Sequence, residues 1–244
     1  MDIQKLLSYT RRAVDDYGLI GENDKIAVGI SGGKDSLTLL HALKGIQRFY
    51  PKHFTLVALT VHLGYEDFHT EQIHSFCEEL EVPYECVHTQ ISDLLQDQKH
   101  PCSLCARLRK GAFNQAALKN KCNKIAYAHH RDDFIETMFL SLFYEGRFHS
   151  FSPKTKLERT GLTLIRPLMY APEAEIIGFA HKYQLPVTKN PCPADGYTKR
   201  QYVKDLLKRI NQEEHGVKDR LFSAIQSAAF EDWPQFQVSN KQTE

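Results

Sequence analysis

Apolar residues along the chain fall into short runs whose spacing switches repeatedly between the helical and the extended period. Ile3, Leu6, Leu7, Val14 and Leu19 recur at helical spacing and Gly21 closes the run, which predicts an N-terminal helix over 3–20. "KIAVGI" (25–30) then reads as a short buried strand, and Leu37, Leu39, Leu40 and Leu43 predict a helix directly after the loop that follows it. "FTLVALTVHL" (54–63) is too continuous in apolar residues for an edge strand, a helix is expected from about 68 to 80, and "PYECVH" (83–88) gives a third strand. "HPCSLC" (100–105) is expected to be loop, 107–118 helix, "KIAYAHH" (124–130) a fourth strand and 132–144 a strongly patterned helix. The polar stretch 145–160 reads as loop, "LTLIRPL" (162–168) as a fifth strand, and 174–183, 199–209 and 218–230 as helices, with a frayed tail after 232.

Strands that alternate with helices predict the α/β class: a Rossmann-like parallel sheet with helices on both faces, because parallel strands need crossover connections. The expected organisation is an N-terminal helix (1–24), a main α/β domain (25–190) and a C-terminal helical extension (191–244). The composition, 42% hydrophobic and 25% charged with a formal net charge of +1, is that of an ordinary globular chain and announces no charged tail. No apolar run is long enough for a membrane span and residues 1–20 do not form a signal peptide, so a cytoplasmic protein with no membrane partner is expected.

Between the first strand and its helix lies "SGGKDS", Ser31, Gly32, Gly33, Lys34, Asp35 and Ser36. A loop at the carboxyl end of a parallel strand, leading into a helix, offers unpaired N–H groups and a positive dipole end to an anion. Glycines alone are equally consistent with a plain turn; Lys34 with the hydroxyls of Ser31 and Ser36 adds a cation and two donors, which favours phosphate. The register does not fit the Walker A pattern, since Lys34 is followed by Asp35. A carboxylate in a phosphate cradle suits a triphosphate only with Mg²⁺ between them.

Six cysteines without a secretory signal do not read as a disulfide framework. Cys77, Cys86 and Cys122 sit inside apolar or helical patterns and read as packing residues. "PCSLC" sets Cys102 and Cys105 two residues apart, and "NPCPAD" supplies Cys192. On their own these thiolates suit structural zinc, an iron–sulfur cluster or a redox dithiol; structural zinc usually takes four ligands, and three favour a site with one open position.

Two resemblances narrow these alternatives. "SGGKDS" is similar to the pyrophosphate loop of the N-type ATP pyrophosphatases, the PP-loop superfamily, which cleave ATP to AMP and pyrophosphate while adenylating an acceptor. Within them the chain resembles the tRNA 2-thiocytidine biosynthesis (TtcA-like) family through "PCSLCARLRKG" (101–111), "HHRDDFIETMFLSLF" (129–143), "IRPLMYAPEAEI" (165–176), and Pro191 and Cys192 followed by Arg200 and Gln201. The resemblance implies a 4Fe-4S cluster on Cys102, Cys105 and Cys192, the fourth iron carrying sulfur. It also implies ATP as cosubstrate, Mg²⁺, a tRNA substrate, a cysteine desulfurase or other sulfur donor, and a homodimer. Longer members carry a second Cys-x-x-Cys where this chain has Asp195.

The implied reaction adenylates the C2 oxygen of an anticodon-loop cytidine and replaces it with sulfur, releasing AMP and pyrophosphate. Lys34 would hold the β- and γ-phosphates. Asp132 and Asp133 open a helix at the carboxyl end of the fourth strand, where they either complement the dipole or hold Mg²⁺ or take a proton. His129 and His130 could contact phosphate or base, or simply pack. Seven Lys or Arg and no acid fall between Lys99 and Lys124, and Lys199, Arg200, Lys204, Lys208 and Arg209 form a second cluster. Such faces suit an RNA backbone or are plain solvated helix faces; Arg109 or Arg107 could instead serve the cluster or the activated base. Thiolation of another base or a small molecule, or a non-catalytic RNA-binding zinc protein, are the rival readings.

Overall fold

The computed structural model describes residues 1–95, 101–188, 199–228 and 233. Cys192, Asp195, Lys99 and most of the tail predicted to fray lie outside the described residues. The elements are α1 (Ile3–Tyr17), β1 (Asp24–Gly29), α2 (Lys34–Gln47), β2 (Phe54–His62), α3 (Glu71–Glu79) and β3 (Tyr84–His88). A 3₁₀ turn at Asp93–Leu95 precedes α4 (Pro101–Lys119), β4 (Lys124–Ala126), α5 (Arg131–Glu145), β5 (Lys154–Lys156) and β6 (Thr163–Ile165). Then come α6 (Glu173–Lys182), α7 (Lys199–Glu213) and α8 (Val217–Ser227).

Six strands pair in the order β3-β2-β1-β4-β6-β5. All neighbours are parallel except the edge pair β5 and β6. The chain runs outward from β1 through β2 to β3 and then returns to place β4 on the other side of β1. That reversal opens a crevice beyond the carboxyl ends of β1 and β4, where ligands bind in open α/β sheets.

Alternation along β1 divides the core. Ile26 and Val28 join the larger cluster with α1, α2, α5 and α6, whereas Ala27 joins Val57, Ile125 and Leu164 under Phe113, Ala116 and Ala117 of α4. Leu6 and Val14 of α1, and Val203, Leu207, Phe222 and Ile225 of α7 and α8, belong to that larger cluster. The terminal helices therefore share the core of the sheet. No described helix is long and apolar enough to cross a membrane.

Three local differences from the predicted elements have physical causes. The first helix ends at Gly18 and not at Gly21: Gly18 takes φ +54°, and its N–H caps the last turn. Leu19 and Ile20 are fully buried from the coil that follows, which prolonged the apolar pattern past the cap. "PCSLC" is helix, because a proline is well suited to a first helical position, where no N–H is needed. Within the stretch read as loop, Lys154–Lys156 forms β5 only through its antiparallel pairing with β6.

Gly18 also yields a stability prediction. Gly18→Ala puts a Cβ into the left-handed region at a cost of about 1 kcal/mol, which for a chain of this size lowers Tm by about 2–4 °C. An unchanged melting curve would show that the cap contributes nothing.

Candidate active site

The loop at the end of β1 is built from its own hydroxyls. Ser36, buried in the first turn of α2, donates through Oγ to Gly33 O at 2.9 Å and accepts from Ser31 N at 3.1 Å. Ser31 Oγ lies 3.2 Å from Ser36 Oγ. Gly33 caps α2 in an extended conformation and, having no side chain, leaves the first N–H groups of the helix without a capping bond from the N-cap position. Gly32 has φ +79°, and a Cβ on it would stand 1.9 Å from Thr188 Oγ1. Thr188 N donates to Gly32 O at 3.0 Å. Glycine at 32 is thus required twice, by backbone conformation and by the close approach of Thr188.

Charged groups converge on this loop from four elements. Lys34 Nζ lies 3.1 Å from Asp35 Oδ2 and 3.2 Å from Glu173 Oε1 at the start of α6. Burial alone would lower the Lys34 pKa, but Asp35 and Glu173 outweigh it and raise it, so the ammonium is retained. Glu173 Oε1 also takes Lys204 Nζ of α7 at 2.6 Å. Burial pushes Glu173 up, and Lys204 and Lys34 together bring it below the ordinary carboxylate range.

The start of α5 lines the opposite side. His130 is its N-cap: its N–H donates to Asp133 Oδ2 at 2.9 Å and its Nδ1 accepts from Asp133 N at 3.4 Å. The ring's Nε2 is then 3.9 Å from Asp35 Oδ1, a buried oxygen with no hydrogen-bond partner among the described residues. Asp132 is buried with both oxygens engaged, Oδ2 by Glu173 N at 2.8 Å and Oδ1 by Lys218 Nζ of α8 at 2.7 Å. Asp133 Oδ1 lies 3.8 Å from Arg200 Nη1, which is 3.1 Å from Glu136 Oε2. Burial, then the Asp133 charge, push Glu136 above the usual range in spite of Arg200.

His129 turns away from this group. Its ring stacks on Phe151 at 4.2 Å between centroids, and Arg166 Nε donates to its Nδ1 at 3.1 Å. A guanidinium N–H can only donate, so the imidazole proton sits on Nε2. Burial first, then the charges of Arg166, Arg200 and His130, hold the His129 pKa well below its ordinary value, and the ring is neutral.

Two of the three sulfur ligands predicted from sequence, Cys102 and Cys105, stand on α4, while Cys192 lies outside the described residues. Cys102 is exposed and Cys105 half-buried. With Arg109 and Phe113 they fall at spacings of three, four and four, which places them along one stripe of the helix. Phe113 is buried against Tyr127, just past β4, with ring centroids 5.5 Å apart. At about 1.5 Å per residue, Cys105 stands about 12 Å further along the helix axis. Burial raises the pKa of Tyr127, and Arg109 and Arg166 are the charges that oppose the shift. Cys77 and Cys122 are buried among apolar residues and Cys86 is half-buried.

The loop, Asp132, Asp133 and His130 are therefore brought together, while Arg109 and the Cys102/Cys105 pair stand on α4, toward the other face of the sheet. Sequence reasoning missed Glu173, Lys218, Glu136, Arg166 and Thr188; only Pro172 ahead of Glu173 and Glu175 signalled a helix start there. Both predicted basic clusters divide. Lys124 is buried on Asp24 at 2.6 Å, whereas Lys119, though paired with Glu85, stays exposed with Arg107, Arg109, Lys110 and Lys121. In α7, Arg200 and Lys204 face the carboxylates, while Lys208 and Arg209 stay exposed.

Asp132 links this site to acid stability. Burial would raise its pKa, but the Lys218 ammonium and the Glu173 amide prevail and lower it. A depressed carboxylate contributes stability above its unfolded pKa and loses it as pH falls through the folded one. Lys218→Met removes the main depressing partner, so its acid-unfolding midpoint is expected at higher pH than in the parent. Coincident acid titrations by circular dichroism would refute the assignment.

The chain matches the family of PP-loop domains over residues 5–210. It is 39% identical to the tRNA-cytidine(32) 2-sulfurtransferase of Geobacter sulfurreducens over 228 residues, 91% of this chain and 89% of that one. The enzyme of the same name from Anaeromyxobacter dehalogenans is 36% identical over 91% of this chain and 78% of its own. Among solved structures, the U34-tRNA thiolase NcsA of Methanococcus maripaludis, with its [4Fe-4S] cluster, superposes with a TM-score of 0.75 at 25% identity, over 91% of this chain and 76% of that one. An NH3-dependent NAD synthetase from Campylobacter jejuni shares the fold, with a TM-score of 0.53 at 15% identity over 92% of each chain.

Proposed function

The chain belongs to the PP-loop family and, within it, to the tRNA-cytidine(32) 2-sulfurtransferases, and from that membership we propose that it is an ATP-dependent sulfurtransferase that converts an anticodon-loop cytidine to 2-thiocytidine. The observation that supports the reading is that the loop and the cysteine helix are tied to the ends of two neighbouring strands. The Ser31–Ser36 loop ends β1, and the cysteine stripe of α4 is anchored through Phe113 on Tyr127, just past the neighbouring strand β4.

In this reading the ATP phosphates lie over the amides of the loop and the start of α2. The cytidine O2 attacks the α-phosphorus and the bond to pyrophosphate breaks. Lys34 stabilises the charge that develops on the departing pyrophosphate. Asp35 and Asp133 are the carboxylates suited to hold Mg²⁺, and the unpartnered buried Oδ1 of Asp35 fits such an ion. Asp132, with both oxygens occupied, serves instead to fix α6 and α8 around the loop. Arg109, exposed on the stripe between Cys105 and Phe113, offers positive charge to the adenylated base.

Cys102 and Cys105, one helical turn apart, fit two thiolates of a 4Fe-4S cluster, with Cys192 as the third. Thr188, four residues before Cys192, is bonded to the phosphate loop, which supports a common site. The cluster, when bound, supplies the sulfur that replaces O2; the C2–O bond then breaks and AMP leaves with the original oxygen. A cysteine desulfurase or other sulfur donor, a homodimeric assembly and a cytoplasmic location complete the proposal.

Mass spectrometry of tRNA nucleosides from cells with and without the gene tests it. Loss of 2-thiocytidine is expected. Loss of a thiouridine instead would reassign the base, and an unchanged nucleoside profile would reject the substrate. Protein purified without oxygen is expected to be brown; colourless protein with stoichiometric zinc would reject the cluster.

A further inference from the structure

Glu173 Oε1 carries two lysines that are far apart in the chain: Lys34 of the phosphate loop at 3.2 Å and Lys204 of α7 at 2.6 Å. Two ammonium groups this close repel each other, and the carboxylate between them is what makes the arrangement tolerable. Lys204 is held facing the crevice by the rest of its helix. Val203 and Leu207 are buried in the core, and Arg200, one turn earlier, reaches Glu136 Oε2 at 3.1 Å and Thr137 Oγ1 at 3.2 Å. The rotation of α7 is therefore fixed, and Lys204 cannot join the exposed Lys208 and Arg209 without undoing that packing.

Lys34 has Asp35 Oδ2 at 3.1 Å as well, but Lys204 shares the one Glu173 oxygen with it, whereas a polyphosphate has several anionic oxygens to offer both ammonium groups. We propose that Lys204 is a second phosphate-binding lysine of this site: Glu173 presents it beside Lys34 in the crevice, and both lysines move onto the β- and γ-phosphates when nucleotide enters. As pyrophosphate leaves, two cations rather than one then meet the developing charge. The proposal rests on the ATP reading of the loop and adds to it a residue from the C-terminal helices. It gives α7 two separate tasks, phosphate on its inner face and RNA on the outer face marked by Lys208 and Arg209.

The test uses the full chain, an ATP analogue whose α–β linkage cannot be cleaved, and a separate tRNA titration. Lys204→Met is expected to weaken the analogue by about tenfold and leave tRNA affinity unchanged, with Lys204→Arg recovering most of the loss. A Lys208→Ala, Arg209→Ala double variant should do the reverse. Glu173→Gln separates the proposal from a purely structural tie: freeing Lys204, and leaving Lys34 on Asp35 alone, should keep or tighten analogue binding, whereas a lost tie would weaken it. The proposal is overturned if Lys204→Met binds the analogue like the parent, if it loses only tRNA affinity, or if Glu173→Gln weakens the analogue. Should neither the parent nor Lys34→Met bind the analogue, the ATP reading itself fails, a result distinct from all of these.

Discussion

Serine in place of Cys102 or Cys105 is expected to reduce 2-thiocytidine formation by at least about a hundredfold, since even residues that merely support a metal ligand cost about 10–100-fold when lost. A hydroxyl does not replace a thiolate toward iron, and with only three candidate cysteines no spare ligand exists. The fold should survive, because Cys102, in the first turn of α4, is exposed and Cys105, in the second, is only half-buried. ATP binding should survive too, as Cys105 and Cys102 stand about 12 and about 16 Å along α4 from the Phe113 contact. Three measurements together decide the matter: nucleoside mass spectrometry, the visible absorption of anaerobic protein, and titration with the non-cleavable ATP analogue. Wild-type yields of 2-thiocytidine from Cys102→Ser would remove that thiolate from the mechanism.

Lys34→Met is the second large effect, expected to lower kcat for pyrophosphate release by about 10²–10³. The loop's amides and the Ser31–Ser36 contacts remain in the variant, so affinity for ATP should fall less than the rate. The loss is expected in the step where charge develops on pyrophosphate, and it is read as a larger drop in kcat than rise in KM. If the substitution raised KM alone, Lys34 would be a binding residue with no special role in the transition state.

Why some of this was legible in the sequence and some was not follows from the range of the interactions involved. β1, β2, the start of α2 and most of α5 are written in local apolar spacing, and "SGGKDS" announces its own geometry because glycine and the start of a helix act within a few residues. The close of α1 was obscured because Leu19 and Ile20 keep the apolar rhythm after the helix has stopped. β5 has no apolar signal at all in Lys154, Thr155 and Lys156; it exists because β6 is there to pair with it. Glu173 with Lys34 and Lys204, and Asp132 with Lys218, join residues 31 to 139 positions apart. No local periodicity encodes such pairs, so a sequence reading saw a basic helix face where the structure has an inner and an outer one. Arg166, buried beside His129 with no carboxylate partner among the described residues, was invisible for the same reason.

The ties from α7 and α8 to Glu173 and Asp132 also set an order in time. During synthesis the glycine loop leaves the ribosome well before Lys204 and Lys218 are made, and domains fold as their segments emerge. Until those two helices arrive, Glu173 lacks its shorter lysine contact and buried Asp132 lacks its ammonium partner. The carboxylates beside the glycine loop therefore gain these lysine partners only after α7 and α8 have been made, so the charge balance around the loop is completed late in synthesis.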